Sequence, residues 1–377
     1  MNINIEKSKI AIILLAYADF ESLELALAAY SKFINDNQKI FILQNGRGSY
    51  DCERTYKVAK RYESLYPKNI TVVDWISPDV PYKSIKSLLQ SEVMKDFDYI
   101  CKVDDDAFPL TEDWLEKLIS CYEKSYEIHG ENLAYVTSLV NNNPWGFKEI
   151  LKIMNLDEQY FKKIAREHKV GAPDTDAIET HKIIPANIIY TGWCGTIWGN
   201  PYISRWLHEN TTFFPMKMVE ATKDLGYKEV DSNYRYSINC MFFNKKLWFD
   251  IDDTGKDDEL MCLKYCRTNN KKIIADLSNP FIHLFFYSQR DENKDLLPKL
   301  REIYSNFLNL PYPISMCPLK EYENENRLRF IENIYLKQNF NVKRNIKLLE
   351  KIFSIKNRGQ HKVLTILGIK IKIKRGV

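Results

Sequence analysis

The sequence predicts an α/β fold, a mixed and mostly parallel sheet flanked by helices, and three observations predict it. Short β-branched or aromatic runs alternate with amphipathic stretches through the first 140 residues, the pattern of strands that cross over through helices. Each of those runs ends in a polar cluster, as strands do where a sheet meets a crevice. The 377 residues, 45% of them apolar and 28% charged, supply enough apolar surface for one extensive core or two adjoining ones.

Strands are expected at 9–17 (KIAIILLAY), 39–45 (KIFILQN), 70–76 (ITVVDWI), 98–105 (DYICKVDD) and 133–140 (LAYVTSLV). Between them, 20–34, 52–66, 84–95 and 113–126 repeat apolar residues at helical spacing. NNNPWG at 141–146 is a turn cluster, 147–168 reads as helical and 170–182 as a loop. Strand texture resumes at 187–199 and 246–253, followed by a helix at 257–268 and strands at 271–277 and 280–287. The predicted organisation is a domain over 1–300, with halves 1–140 and 141–300, then a helical C-terminal extension over 301–340 and a basic tail over 341–377. No internal repeat or low-complexity segment interrupts it.

The longest aliphatic run, IAIILLA at 10–16, is far short of the roughly 20 apolar residues needed to span a bilayer and lacks a cleavage pattern, so it reads as a buried strand. Eight dispersed cysteines with no C-x-x-C pair point to reduced, buried thiols and a cytoplasmic chain. The net charge of +4 conceals an asymmetry: from 341 onward eleven cations face the single acid Glu350, which leaves the preceding residues at about −6.

The chemistry concentrates in KVDDDAF. Residues two apart in a strand share a face, so Asp104 and Asp106 are expected to project together and Asp105 away from them. Two carboxylates held that close repel unless a cation or proton lies between them, and a hard divalent ion such as Mg2+ or Mn2+ suits the pair. The plainer account is a solvated turn in which Asp106 or Thr111 caps the helix beginning near Glu112. Weighing against it are the apolar run YICKV before the cluster, the polar ends of the other strands (Ala18-Asp19, Asn45-Gly46-Arg47, Asp74) and a second acidic cluster in the stretch 250–266. There Asp257-Asp258-Glu259 opens a helix, where the dipole favours negative charge, and one carboxylate is a candidate general base.

With these pieces in order, the chain resembles the nucleotide-sugar-dependent glycosyltransferases of the GT-A fold, a Rossmann-like architecture, and is nearest to bacterial family 2 enzymes of surface polysaccharide assembly. The similarity spans roughly 8–290. LLAYADF is similar to the first strand and turn that cradle the nucleobase, which implies Ala16, Tyr17 and Asp19 at the donor. LQNGRGS resembles the family's D-N-G-S strand end, implicating Asn45, with Gln44 in place of the usual acid. Asp74 stands where an acid lies near base or ribose. KVDDDAF resembles the D-x-D motif, implying Asp104 towards ribose or metal, Asp105 as a supporting acid and Asp106 as the principal metal ligand. GKDDEL resembles G-E-D-x-[DE]-L, which places Asp257 at the catalytic base and Asp258 beside the acceptor, with Lys256 for the usual glutamate. His283 in PFIHLFF comes where such enzymes bring a histidine to the metal, although a histidine in an apolar strand is also an ordinary core residue. Lys83 and Lys86 could offset diphosphate charge or be solvated helix lysines. Trp193, among the glycines and aromatics of TGWCGTIWG, is the candidate acceptor platform.

The resemblance implies a metal-dependent (Mn2+ or Mg2+) transfer from a nucleotide-diphosphate sugar, a UDP-sugar favoured, to a hydroxyl of a bacterial surface glycan or glycolipid, with inversion if Asp257 is the base. Alternatives are a glycan-binding or scaffold protein that kept the sheet without catalysis, and a sugar-phosphate nucleotidylyltransferase, whose Gly-rich, Arg-bearing first loop LLAYADFES lacks. A phosphatase with D-x-D at its first strand is excluded by the position of DDDAF on the fourth. The ending IKNRGQHKVLTILGIKIKIK looks like endings of polysaccharide-assembly glycosyltransferases. Its charge favours an anionic inner-membrane surface and a peripheral, cytoplasmic location. No nucleic-acid-binding fold accompanies it.

Overall fold

The computed structural model describes residues 4–35, 37–141, 144–160, 201–230, 239–252, 258–284 and 293–310, together with strands at 353–358, 361–366 and 369–374. It divides into two compact units, Met1–Ile314 and Ser315–Val377.

In the first unit, β1 (Ile10–Ala16), β2 (Lys39–Gln44), β3 (Ile70–Val73) and β4 (Tyr99–Asp104) form wherever a run of aliphatic residues is long enough to be buried on both faces. They lie parallel in the order β3-β2-β1-β4. The crossovers are α1 (Phe20–Phe33), α2 (Tyr50–Leu65) and α3 (Pro81–Leu89). Asp19 and Ser49 cap the first two through the backbone N–H of Ser22 and Cys52, and Pro81 starts the third. The short strand β5 (Ala107–Pro109) follows β4, and α4 (Trp114–His129) leads into β6 (Leu133–Val140), buried along its whole length.

Beyond β6 the chain continues through α5 (Pro144–Ile153), α6 (Asp157–Gln159), α7 (Pro201–Leu207) and α8 (Pro215–Thr222). It then passes through β7 (Tyr227–Glu229), β8 (Cys240–Asn244), α9 (Lys246–Asp250), α10 (Asp258–Thr268), β9 (Lys272–His283) and α11 (Leu296–Phe307). The full path is β3-β2-β1-β4-β8-β6-β9-β5, with β7 paired to β9, so the sheet is mixed and α/β as the sequence predicts. Helices pack on it: α4 lies on β6, β8 and β9, and α1 reaches β5. Tyr30 of α1 donates its hydroxyl to the Ala107 carbonyl (2.9 Å), and Trp114 sits edge-on to both Tyr30 and Phe281. Glu24, 1% exposed, ties three helices together by accepting from Arg61 of α2 (2.6 Å) and Arg301 of α11 (3.3 Å).

Three expectations are corrected. The strand expected at 246–253 is the short helix α9. The Asn244 side chain accepts from the Lys246 N–H (3.1 Å), turning the chain out of β8. Tyr82 then donates to the carbonyls of Trp248 (2.5 Å) and Ile251 (2.9 Å), while the Trp248 indole donates back to the Tyr82 carbonyl (3.1 Å), so no sheet partner is required. The strand of this region is β8, just upstream and antiparallel, and it separates β4 from β6. The two strands expected at 271–277 and 280–287 are, within the described residues, the single strand β9. Its register against β6 shifts between Asp276 and Pro280, and Asp276 accepts from the Ser278 N–H (2.9 Å) and hydroxyl (2.7 Å) across the irregularity that accommodates the proline. Asp106 and Thr111 do not cap α4, whose N-cap position is Asp113. The expected strand at 187–199 and the loop at 170–182 lie outside the described residues.

The second unit contains a three-stranded antiparallel meander, β10 (Phe353–Arg358), β11 (His361–Ile366) and β12 (Ile369–Lys374). The basic tail expected over 341–377 thus contains strands that its charge alone does not announce. The six described cysteines are free and buried. No helix among the described residues is long and apolar enough to cross a membrane.

Candidate functional site

Two antiparallel pairings build the site. β4 runs against β8 with Val103 opposite Cys240, so the next pair is Asp104 and Asn239, and the Asp104 N–H donates to the Asn239 carbonyl (3.1 Å). Past the turn at Asp105 and Asp106, β5 runs against β9 with Ala107 opposite His283, and the Leu284 N–H donates to the Asp106 carbonyl (3.0 Å). A turn joining β4 to β5 thereby brings acids to a histidine far along the chain. Ligand atoms of Asp104, Asp106 and His283 lie within 4.8 Å of one another, with Asp106 Oδ2 3.2 Å from His283 Nε2. Asp106 and His283 are buried.

Residues around this cluster hold it from behind. Lys102, 1% exposed as a residue, pairs its ammonium with Asp104 Oδ1, and Asn239 Nδ2 donates to Asp104 Oδ2 (2.8 Å) and lies 3.2 Å from His283 Nε2. Against a burial that pulls it down, the carboxylates of Asp104, Asp258 and Glu259 raise the Lys102 pKa, so the start of α10 acts on the same ammonium. The His283 N–H donates to Asn141 Oδ1 (2.8 Å), and Asn141 Nδ2 donates to the Thr212 hydroxyl (3.1 Å) in the π-helical turn His208–Thr212. His208 Nδ1 pairs with the same hydroxyl (2.9 Å), and burial lowers that imidazole to about 4, leaving it neutral near pH 7. Asp105 turns towards β1 and accepts from the Tyr17 N–H (2.9 Å). Burial, then the neighbouring Asp106 and Asp19 carboxylates, push its carboxyl well above the ordinary range.

This donor set fits a divalent cation. Two carboxylates and an imidazole are converging, Asp106 is too buried for water alone to screen it, and Asn239 Oδ1 is a buried acceptor without a hydrogen-bond partner among the described residues. The amide cannot turn over to relieve that oxygen, because its nitrogen faces the Asp104 carboxylate. Carboxylate-rich sites with one imidazole suit Mn2+ or Mg2+ better than the softer metals.

Other predicted residues occupy varied places. Ala16 ends β1 and is fully buried, while Tyr17 just beyond it is 48% exposed. Asp19 is committed to the α1 cap, accepting from the Ser22 N–H (3.2 Å) and hydroxyl (2.7 Å). Asn45 ties the end of β2 to α3 and the segment before it: its Nδ2 donates to the Asp79 carbonyl (3.0 Å) and its Oδ1 accepts the Ser84 hydroxyl (2.5 Å). Asp74 accepts the Tyr56 hydroxyl (2.9 Å) and its carbonyl accepts Arg47. The Lys86 ammonium lies 5.6 Å from the Tyr82 ring centroid. Asp258 accepts the Glu259 N–H (3.1 Å) at the start of α10. Asp257 and Trp193 lie outside the described residues.

Sequence reasoning passed over Lys102, Asn239 and Trp75. A lysine inside the buried run YICKV was a visible signal, as was an asparagine heading the apolar run CMFFN. Trp75, 50% exposed just past the end of β3, offers a second aromatic face beside the sheet end that carries Tyr17.

Gly46 couples the β1 and β2 ends. A Cβ there would stand 2.5 Å from Cys52 Sγ, 2.8 Å from Tyr17 Cδ2 and 2.9 Å from the Tyr17 carbonyl. Gly46→Ala is expected to cost about 1–3 kcal/mol in a denaturant titration. An unchanged midpoint would show that the strand end yields freely.

No protein-family model matches this chain, and no curated protein matches it in sequence.

Proposed function

We propose that this protein is a metal-dependent glycosyltransferase of GT-A type, moving a sugar from a nucleotide-diphosphate donor to a hydroxyl of a bacterial surface glycan or glycolipid. The observation that carries the reading is the convergence of Asp104, Asp106 and His283 beyond the carboxyl ends of β1 and β4, where open α/β sheets bind ligands. A parallel half-sheet with such a cluster is compatible with the GT-A architecture, and the motif order of the sequence points the same way.

In this reading Asp106 and His283 hold the cation, with Asp104 steadied by Lys102 and Asn239 at its edge. A bound Mn2+ or Mg2+ supplies countercharge and Lewis acidity to a departing diphosphate. Tyr17 at the end of β1, with Trp75 past the end of β3 two strands away, presents an aromatic face to a nucleobase. The Tyr17 N–H to Asp105 bond fixes that tyrosine relative to the acids. Asp257 is the proposed base, taking a proton from the acceptor hydroxyl at Oδ as the hydroxyl attacks the anomeric carbon from the face opposite the diphosphate. Inversion follows. Trp193 and Asp258 are the proposed acceptor contacts, and the basic C-terminal segment is the proposed attachment to an anionic inner-membrane surface.

Incubation with Mn2+ and a panel of nucleotide sugars tests this reading. Slow donor hydrolysis that EDTA abolishes is expected, with UDP-sugars preferred, and Asp257→Asn should eliminate transfer to acceptor while nucleotide binding, read by calorimetry, is retained. Binding of glycan with no nucleotide affinity at all would instead make the chain a glycan-binding protein on this sheet.

A further inference from the structure

The meander of the second unit sorts its residues by face. Directly paired positions in an antiparallel sheet share a face and successive residues alternate. The register Phe353↔Ile366↔Ile369, with Ile355↔Leu364↔Ile371 and Asn357↔Lys362↔Ile373, makes one face on which seven of nine positions are aliphatic or aromatic. The opposite face holds Ser354, Thr365 and Lys370, then Lys356, Val363 and Lys372, then Arg358, His361 and Lys374. Five of the six lysines and arginines in these strands therefore fall on one face, and none of the described tail strands contains an acid.

We propose that this cationic face is a docking surface for the anionic headgroups of a lipid bilayer. The inference rests on the reading of the C-terminal segment as a membrane attachment and assigns that role to five residues on one side of a sheet. Sealing five cations against protein without carboxylates in the same strands would leave them uncompensated, whereas the apolar face is the one that gains by being covered. The occupant is set by the geometry of the charges. Lys370, Lys372 and Lys374 follow one another at about 7 Å along β12, and Lys356 and Arg358 form a second row two strands away, about 10 Å across. Two parallel rows make a planar array, which matches a planar array of phosphates. A linear polyanion would meet one row at a time. The apolar positions cannot take the cations' place at the membrane, because they fall on the opposite face of the same strands.

The test is co-sedimentation of the full chain with vesicles of phosphatidylcholine alone or mixed with phosphatidylglycerol, across a salt series. Partition to the mixed vesicles alone, weakening as salt rises, is expected. Changing Lys356, Arg358, Lys370, Lys372 and Lys374 together to Gln should reduce partition at least about a hundredfold, each well-placed cation being worth about fivefold. A charge-matched control, Lys343, Arg344, Lys347, Lys351 and Lys362 to Gln, should change it by less than about tenfold. Changing Lys370, Lys372 and Lys374 to Arg should preserve partition, so that loss in the glutamine set reads charge rather than strand packing. Equal losses in the face and control sets overturn the proposal in favour of unlocalised attraction, and equal binding to neutral vesicles overturns it in favour of apolar contact. Binding to dextran sulfate with none to vesicles overturns it as well. Deleting residues 342–377 separates the two levels: if deletion abolishes partition while the face set does not, the attachment reading stands and this face falls, and if deletion changes nothing, both fall.

Discussion

Replacing Asp106 by asparagine is expected to abolish binding of Mn2+ and to lower donor hydrolysis by about a thousandfold, the equivalent of the several kcal/mol that a bound cation contributes at a developing diphosphate. Asparagine keeps the shape of the side chain and can still face His283, whose Nε2 lies 3.2 Å from Asp106 Oδ2, so the fold has little to lose. What disappears is the charge. Asp104 cannot make up for the loss, because it is a single carboxylate whose charge is already offset by Lys102 and whose other oxygen accepts from Asn239. Binding is read directly from the electron paramagnetic signal of free Mn2+ titrated with protein, independently of any donor sugar. Undiminished Mn2+ affinity in Asp106→Asn would remove this cluster from metal binding, and an unchanged hydrolysis rate would remove it from the reaction.

The parts of this site that were legible in the sequence were those encoded locally. Four buried runs with polar ends declared the parallel half-sheet, because burial on both faces demands continuous aliphatic sequence and the crevice demands the opposite. Asp104 to Asp106 stood out for the same reason. The antiparallel half was less legible. β8 is five residues, CMFFN, too short and too uniformly apolar for its period to separate strand from helix, and β5 is three residues ending in a proline. Yet these two strands carry the registers that set Asn239 beside Asp104 and His283 beside Asp106. Asn45, a polar strand end in the sequence, has a tertiary role the sequence did not announce: its amide joins the end of β2 to α3 and the segment before it. In the tail, the Ile-Lys alternation of 369–374 had period two in plain view, and net charge alone hid what the period implied.

Lys102→Met should cost about 1–3 kcal/mol of stability in metal-free buffer, the cost of leaving a half-buried carboxylate without its cation. Methionine matches the lysine stem and would fit a strand in which this side chain is almost wholly enclosed, so lost packing is small. The loss is electrostatic. Asp104 keeps only the neutral amide of Asn239, with Asp106 close by and the acids opening α10 near enough to act on the same ammonium. A divalent ion is the natural replacement for that cation. If Asp104, Asp106 and His283 form its site, Mn2+ binds the folded Lys102→Met chain more tightly than the parent, since a competing positive charge has gone and an Asp104 oxygen is released. Binding to the folded state alone raises stability with the logarithm of metal concentration over its dissociation constant. The denaturant midpoint of Lys102→Met should therefore rise further with added Mn2+ than that of the parent, recovering part of the loss. Equal rises in the two proteins would mean that Lys102 braces the strand without sensing the metal. No rise in either would mean that the acids here are balanced by lysine alone, and the reading of the cluster as a cation site would have to be given up.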